Sequence, residues 1–391
     1  MLISNHRRIV SAALLFALCS SFAGQADSQT APSTPRRTIA PFFDKLRAGK
    51  AVTVAWLGGS ITAGVGASDA ARTSYRALVT QWLRDRYPQA TINEINACVG
   101  GTGSAYAAMR VRRDVIAHKP DLVFIEFAVN DWNETEKSVR ESLEGTIRQL
   151  LLQPQPPEIV LIYAPRASRN TRAAWHEAVA DYYHLPSVNL EPGTLKFIES
   201  QEITPETFWK DGVHPLDIGH KCFANLITAF LAEQEKLKSV MAPSTLPAFL
   251  EQDALTYGES KPFAEFKPGA HWKIEPAGDP LLPAKLLTAD KPGAEFETTF
   301  EGSAVGLVYR AGPEAGIIEC LIDGKPAPAP LTRIDCYNKG SHIQARIITS
   351  GLDSGLHKLT IKISSERNPK STGHRIHLGS LLVGGQRPER L

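Results

Sequence analysis

With 391 residues and 43% apolar side chains, the chain has room for one α/β domain of roughly 200 residues and a smaller second one. Its 43 basic and 41 acidic side chains leave a formal charge of +2, too weak a field to select nucleic acid or an anionic membrane as partner. A neutral or mildly charged small substrate fits that balance.

His6, Arg7 and Arg8 precede an apolar run from Ile9 to Ala23, and Gly24-Gln25-Ala26 offers the small residues at which an export signal is cut. Residues 1–26 therefore read as a removable signal that sends the protein to the periplasm or outside the cell. The run is short for a bilayer span, so no stable membrane insertion is expected, and Leu18 before Cys19 argues against lipid attachment. Cys98, Cys222, Cys320 and Cys336 remain after processing. They lack paired zinc-type spacing, and only Cys320 and Cys336, on neighbouring strand candidates, come into consideration as a disulfide.

Residues 27–38, rich in Ser, Thr, Pro and Gln, read as a tether. From 39 to 240, strands and helices alternate as in a parallel sheet covered on both faces. Strands are predicted at Val52 to Leu57, Thr91 to Ala97, Leu122 to Phe127, Ile159 to Tyr163 and Ser187 to Leu190. Helices are predicted at Ile39 to Lys50, Ser74 to Arg86, Ser104 to His118, Glu134 to Leu152, Thr171 to Tyr183 and Leu216 to Leu237, with apolar residues at helical spacing. Asn133 with Glu136 resembles a capping box at the start of the fourth long segment. Residues 241–257 read as a linker. From 258 to 391, strand candidates at Ala294 to Phe300, Ala304 to Tyr309, Ile317 to Ile322, His342 to Thr349, Leu356 to Ile363 and Arg375 to Val383 alternate with turns, so this part is all-β, a sandwich or jelly roll.

Three loops at the carboxyl ends of predicted strands carry groups that acyl transfer needs, and in a doubly wound sheet they meet at one edge. Ser60, after Gly58-Gly59, is the candidate nucleophile. Asp211-Gly212-Val213-His214-Pro215 supplies a histidine to take its proton and, three residues earlier, a carboxylate to orient the imidazole, with Pro215 expected to open the last helix. The N–H groups of Ser60 and Gly101 and the Asn130 amide are candidate oxyanion donors, with Gly100 a competitor for Gly101. Gly101-x-Gly103 would suit a dinucleotide turn, but Tyr106 stands at the third glycine position, and no phosphate-binding Gly-Lys-Ser/Thr occurs.

These residues resemble the GDSL-type SGNH hydrolases. Gly59-Ser60-Ile61-Thr62 stands for the Gly-Asp-Ser-Leu block, Asn96-Ala97-Cys98-Val99-Gly100-Gly101 for the glycine block, Val129-Asn130-Asp131 for the asparagine block, and Asp211 to His214 for the Asp-x-x-His block. The resemblance spans about Val52 to Phe230. It implies a flavodoxin-like three-layer α/β/α fold, a Ser60-His214-Asp211 triad, a Ser60/Gly101/Asn130 oxyanion hole and action on esters or thioesters. Gly59 replaces the family's usual aspartate, and Ala128 its usual glycine.

Asp131 is expected near the positive end of the following helix. His118, His176, His184 and His220 lack a carboxylate at triad spacing and are expected at the surface or in support. Trp272, Tyr309 and Tyr337 present either sugar-binding faces or core, and Trp132, Trp175 and Trp209 are candidate pocket walls. The reading is an exported serine esterase that removes small acyl groups, acetyl foremost, from an acylated carbohydrate, without metal or organic cofactor. The rivals are a lipase, thioesterase or arylesterase on lipophilic acyl esters, and a non-catalytic glycan-binding protein. No feature of the sequence speaks to oligomeric state.

Overall fold

The computed structural model describes residues 36–240, 245–279, 282–329 and 331–385; the expected export signal and most of the tether lie outside the described residues. The first half runs α1 (Ala40–Arg47), β1 (Val52–Gly58), α2 (Ser60–Ala63), α3 (Tyr75–Arg86), β2 (Ile92–Cys98), α4 (Ser104–Asp114), β3 (Leu122–Glu126), α5 (Glu136–Leu151), β4 (Glu158–Tyr163), α6 (Ala173–Tyr182), β5 (Ser187–Asn189), α7 (Glu191–Ser200), α8 (Pro205–Phe208) and α9 (Asp217–Gln234). The strands form a parallel sheet of order β2-β1-β3-β4-β5.

Strand side chains alternate between two helix layers, because successive residues point to opposite faces. Val54, Trp56 and Phe124 pack with Phe43 of α1, Val79 and Leu83 of α3 and Phe223 of α9. Ala55, Leu57, Val123 and Ile125 pack with Val111 of α4, Leu143 and Ile147 of α5 and Val179 of α6. Fully buried Trp56 stacks on Phe124 at 4.2 Å, and burial of side chains this size contributes about 1.5–3 kcal/mol each. Gly58 lies level with both Cys98 and Glu126, so β1, β2 and β3 release the chain at one edge. There the strand order reverses direction and a crevice opens.

Two helix starts differ from expectation. α5 is capped by Thr135, whose hydroxyl accepts the Ser138 N–H, while Asn133 ends a 3-10 turn that begins at Asn130. The expected Asn133–Glu136 capping box is absent because that turn, anchored by buried Asp131, has already taken Asn133. α9 opens at Asp217 and not at Pro215. Pro215 instead pairs with Trp209 in an antiparallel bridge, which requires extended backbone and postpones the helix. α7 and α8, with Pro192 and Pro205 in their first turns, fill a stretch for which the sequence pattern predicts no element.

The second half contains β6 (Tyr257–Pro262), β7 (Lys273–Pro276), β8 (Lys285–Ala289), β9 (Glu295–Glu301), β10 (Ala304–Ala311), β11 (Ile317–Ile322), β12 (Lys325–Pro326), β13 (Arg333–Asp335), β14 (His342–Thr349), β15 (Leu356–Ile363) and β16 (Ile376–Gly385). Two antiparallel sheets result, one ordered β14-β10-β16-β8-β7 with β6 also on β16, the other β12-β11-β15-β9 with β13 on β11. Phe296, Phe300, Leu307, Leu359 and Ile361 fill the space between them. Cys320 and Cys336 are buried there as free thiols, so the disulfide considered for them is not formed.

An apolar seam joins the halves. Tyr106, Ala108 and Met109 of α4 pack against Leu255, Val308, Ile343 and Leu382. A Cβ on Gly258 would overlap the Ala108 carbonyl, and one on Gly384 would crowd the Met109 sulfur, so these glycines permit the close approach. Residues 245–256 run along α5. The N–H groups of Leu250 and Glu251 each donate to the buried Glu144 carboxylate at 2.7 Å, and Gln149 Nε2 donates to the Ala108 and Leu255 carbonyls at 2.9 Å.

Candidate active site

Ser60 begins α2 where β1 ends. A Cβ on Gly59 would overlap Asn130 Oδ1, so the glycine standing in for the usual aspartate leaves room for the Asn130 side chain. Ser60 Oγ lies 2.8 Å from His214 Nε2, and His214 Nδ1 lies 2.7 Å from Asp211 Oδ2. Asp211 Oδ1 accepts the N–H groups of Val213 and His214 at 3.1 and 3.0 Å, a fold-back that needs Gly212 at φ 79°. Burial alone would raise the Asp211 carboxyl; the backbone N–H and imidazole of His214, with the Val213 N–H, outweigh it and hold the group below the usual carboxylate range. A charged acceptor at Nδ1 keeps the proton there and turns the Nε2 lone pair toward the serine hydroxyl. The Trp209–Pro215 bridge and Gly66, at φ 99° with no room for a Cβ beneath the Pro215 carbonyl, hold this loop in place. Such a series can move a proton off Ser60 as Oγ attacks a carbonyl.

Gly101 and Asn130 line the same cleft as Ser60 and His214. Gly101 has φ 75°, in the left-handed region, and of the two glycines it is the one in the cleft lining; a Cβ on Gly100 would lie 3.5 Å from Ser60 Cβ. Asp131 departs from expectation. It sits at the start of α4, the preceding helix, where Oδ1 accepts the Ser104 N–H at 2.9 Å, and its Oδ2 lies 2.8 Å from Nε2 of buried His176. His220 is also buried, with Nδ1 accepting the Tyr75 N–H and Nε2 donating to the Val65 carbonyl, both at 3.3 Å.

Glu126 was missed, although a lone carboxyl in the run Leu122-Val123-Phe124-Ile125-Glu126-Phe127 is a visible anomaly. Burial foremost, then the nearby Asp131 charge, push it up to about 8, against bonds from the Thr62 hydroxyl and the Ala164 and Val129 N–H groups.

The cleft is about 510 Å³ and has two walls. On the α/β side stand Ser60, His214, Arg166 and Trp132, the last 49% exposed with the Arg166 guanidinium 5.9 Å from its ring. The β-sandwich contributes Tyr309, Asp335, Tyr337, Asn338, Gln344 and Arg346. Arg346 reaches across to Glu134 at 3.0 Å. Of the aromatic candidates, Trp132, Tyr309 and Tyr337 line the cleft. Trp272 packs edge-on to Phe296 in the sandwich core, Trp209 lies among Phe208 and Phe223, and Trp175 is covered by the Arg172 guanidinium at 4.3 Å. Arg166 stands on a loop of the α/β half that no motif marks, and the polar groups of the β wall had no signal in the sequence, since only the docking of the halves brings them to Ser60.

The model of the GDSL-like Lipase/Acylhydrolase family matches residues 56–222, the segment that holds every residue of the α/β wall just described. An acetylxylan esterase of Geobacillus stearothermophilus is 28% identical over 213 residues, 48% of this chain and 96% of that protein. A two-domain esterase active on acetylated mannans superposes with a TM-score of 0.80 at 24% identity, covering 91% of this chain and 98% of that one. The same esterase co-crystallized with mannopentaose superposes with a TM-score of 0.78 over 91% and 97% of the two chains. At that identity these structures establish the two-part fold.

Proposed function

We propose, for a chain that belongs through residues 56–222 to the GDSL-like lipase/acylhydrolase family, a serine esterase that removes acetyl groups from an extended carbohydrate. The observation that carries this reading is the unbroken series Asp211–His214–Ser60, whose histidine and serine line a cleft walled by two domains. Ser60 Oγ attacks the acetyl carbonyl while its proton passes to His214 Nε2. The carbonyl oxygen, now charged, takes hydrogen bonds from the N–H groups of Ser60 and Gly101 and from the Asn130 amide. Collapse breaks the bond to the sugar oxygen, which leaves with the proton from His214. Water then repeats the sequence on the acetyl-serine, releasing acetate and restoring both groups.

A sugar ring offers flat apolar faces and a polar rim. Trp132 and Tyr337 supply matching faces, and Asp335, Asn338 and Gln344 supply donors and acceptors, in a cleft of a size usual for small-molecule sites. A long acyl tail would instead lie among Glu134, Arg166, Asp335 and Arg346, where apolar chain gains little and charged groups lose water. The acetylxylan esterase likeness, over nearly the whole of that protein, supports acetyl as the group removed. Export follows from the charged and apolar pattern of residues 6–26 and puts the enzyme among envelope or environmental glycans. Among the described residues no helix is long and apolar enough to cross a membrane.

The test is release of acid from acetylated xylo- and manno-oligosaccharides compared with p-nitrophenyl acetate, butyrate and octanoate. kcat/KM is expected to fall with acyl length, because a short pocket excludes added methylenes, and to be highest on an acetylated oligosaccharide. Preference for octanoate would replace this reading with a lipase or thioesterase.

A further inference from the structure

A second histidine–aspartate contact lies beneath the cleft. His176 Nε2 and Asp131 Oδ2 are 2.8 Å apart and both side chains are shut off from water. His176 Nδ1 meets no hydrogen-bond partner among the described residues, and the ring stands edge-on to Tyr163. The proton therefore sits on Nε2, and the carboxylate accepts it as a hydrogen bond. Asp131 Oδ1 accepts the Ser104 N–H at 2.9 Å, at the positive start of α4.

One carboxylate thus ties together three elements: the turn carrying Asn130, the loop that runs from Gly101 through Gly103 to Ser104, and α6. The fit at the loop is close, since a Cβ on Gly103 would overlap Asp131 Oδ1. α6 is fastened to the same turn a second time, because the Arg172 N–H donates to the Ala128 carbonyl at 2.8 Å and the Arg172 guanidinium to the Trp132 carbonyl. Asn130 in turn rests on Gly59, next to Ser60. A buried carboxylate is stable only with its bonds complete, so loss of the His176 N–H would leave Oδ2 unpaired and the turn free to shift.

We infer that His176 is a positioning residue, acting through Asp131 to set the Asn130 amide against the Gly101 N–H. The inference rests on the esterase reading above, in which those two groups meet the charged oxygen of the tetrahedral intermediate.

The test is a set of full-chain variants assayed on p-nitrophenyl acetate: His176→Phe, His176→Gln, His176→Asn and Asn130→Ala, with the double variants on Asn130→Ala. His176→Phe should lower kcat by about 10–100-fold with KM within about threefold, the range expected for a displaced transition-state donor. His176→Gln, whose amide can still donate to Asp131, should recover to within about fivefold of the parent, whereas the shorter His176→Asn should not. On the Asn130→Ala background the His176→Phe loss should shrink to about threefold or less, because the group being positioned is gone. Additive losses, a loss confined to KM, or a lower melting temperature with kcat unchanged would each overturn the role. If His176→Phe does not fold, the contrast between Gln and Asn decides, and equal kcat in those two overturns it. An unaltered protein that neither releases acid from the ester nor labels at Ser60 would sink the esterase reading itself. An active parent with all His176 variants at full rate removes only this role.

Discussion

The two walls of the cleft hold their side chains in different ways. Behind the α/β wall, Asp131, His176 and Glu126 are closed off from water and Asp211 takes bonds at both carboxylate oxygens. Across from it Asp335 is exposed and Tyr337 and Asn338 half-buried, fixed by short turns in which Asp335 Oδ1 accepts the Tyr337 N–H at 2.9 Å and Asn338 Oδ1 the Gly340 N–H at 3.1 Å. Groups that meet charge developing during a reaction must be oriented beforehand, in a site that cannot relax. Groups that grip a glycan gain from contact area and tolerate adjustment. The proposed division is therefore chemistry on one wall and recognition on the other.

The largest effect that would break this division is at Ser60. Ser60→Ala should lower kcat on the order of 10⁴–10⁶-fold with an unchanged melting temperature, read by acetate release and thermal unfolding. Asp211→Asn should cost on the order of 10³–10⁴-fold, because an amide at Nδ1 favours the wrong imidazole tautomer. Since Asp211 is held below the usual carboxylate range, it stays charged into acid, and its orienting bond to the imidazole should persist through mildly acid pH. A rate of Asp211→Asn relative to the parent that climbs as pH falls through that range would contradict this.

Tyr337→Ala probes the other wall. It should reduce kcat/KM on an acetylated oligosaccharide by about tenfold and leave p-nitrophenyl acetate within about twofold, the scale of one lost aromatic contact. Equal losses on both substrates would mean that the β wall takes part in the chemistry.

The smallest effect concerns Glu126. The folded chain keeps its proton up to about 8, the unfolded chain releases it at the ordinary carboxylate value, and so between those limits the folded state binds more protons and stability falls as pH rises. Glu126→Gln should remove that fall, with its advantage in melting temperature growing from about pH 5 to about pH 8. A constant difference between the two proteins would show that the carboxyl is already ionised in the fold.

Much of the α/β wall was legible because its signals are local. A run of β-formers ends in Gly58-Gly59-Ser60, and Asp211 and His214 stand three residues apart on one loop. The β wall was not, since Tyr106 and Met109 announce that α4 is buried without saying against what. β6, reading Tyr257-Gly258-Glu259-Ser260-Lys261-Pro262, has no apolar alternation and exists by pairing with β16. The Asp131–His176 contact joins residues 45 apart, a distance to which no spacing rule applies. The misplaced cap of α5 has a similar cause: Asn133 and Thr135 are comparable caps in isolation, and the buried bonds of Asp131 decide between them.

The nucleophile can be identified directly by treating the protein with a fluorophosphonate, with and without an acetylated oligosaccharide, and mapping the adduct by mass spectrometry. One adduct, on Ser60, formed more slowly when the oligosaccharide is present, is the expected result. An adduct on another residue, or none while acetate is still released, would contradict it.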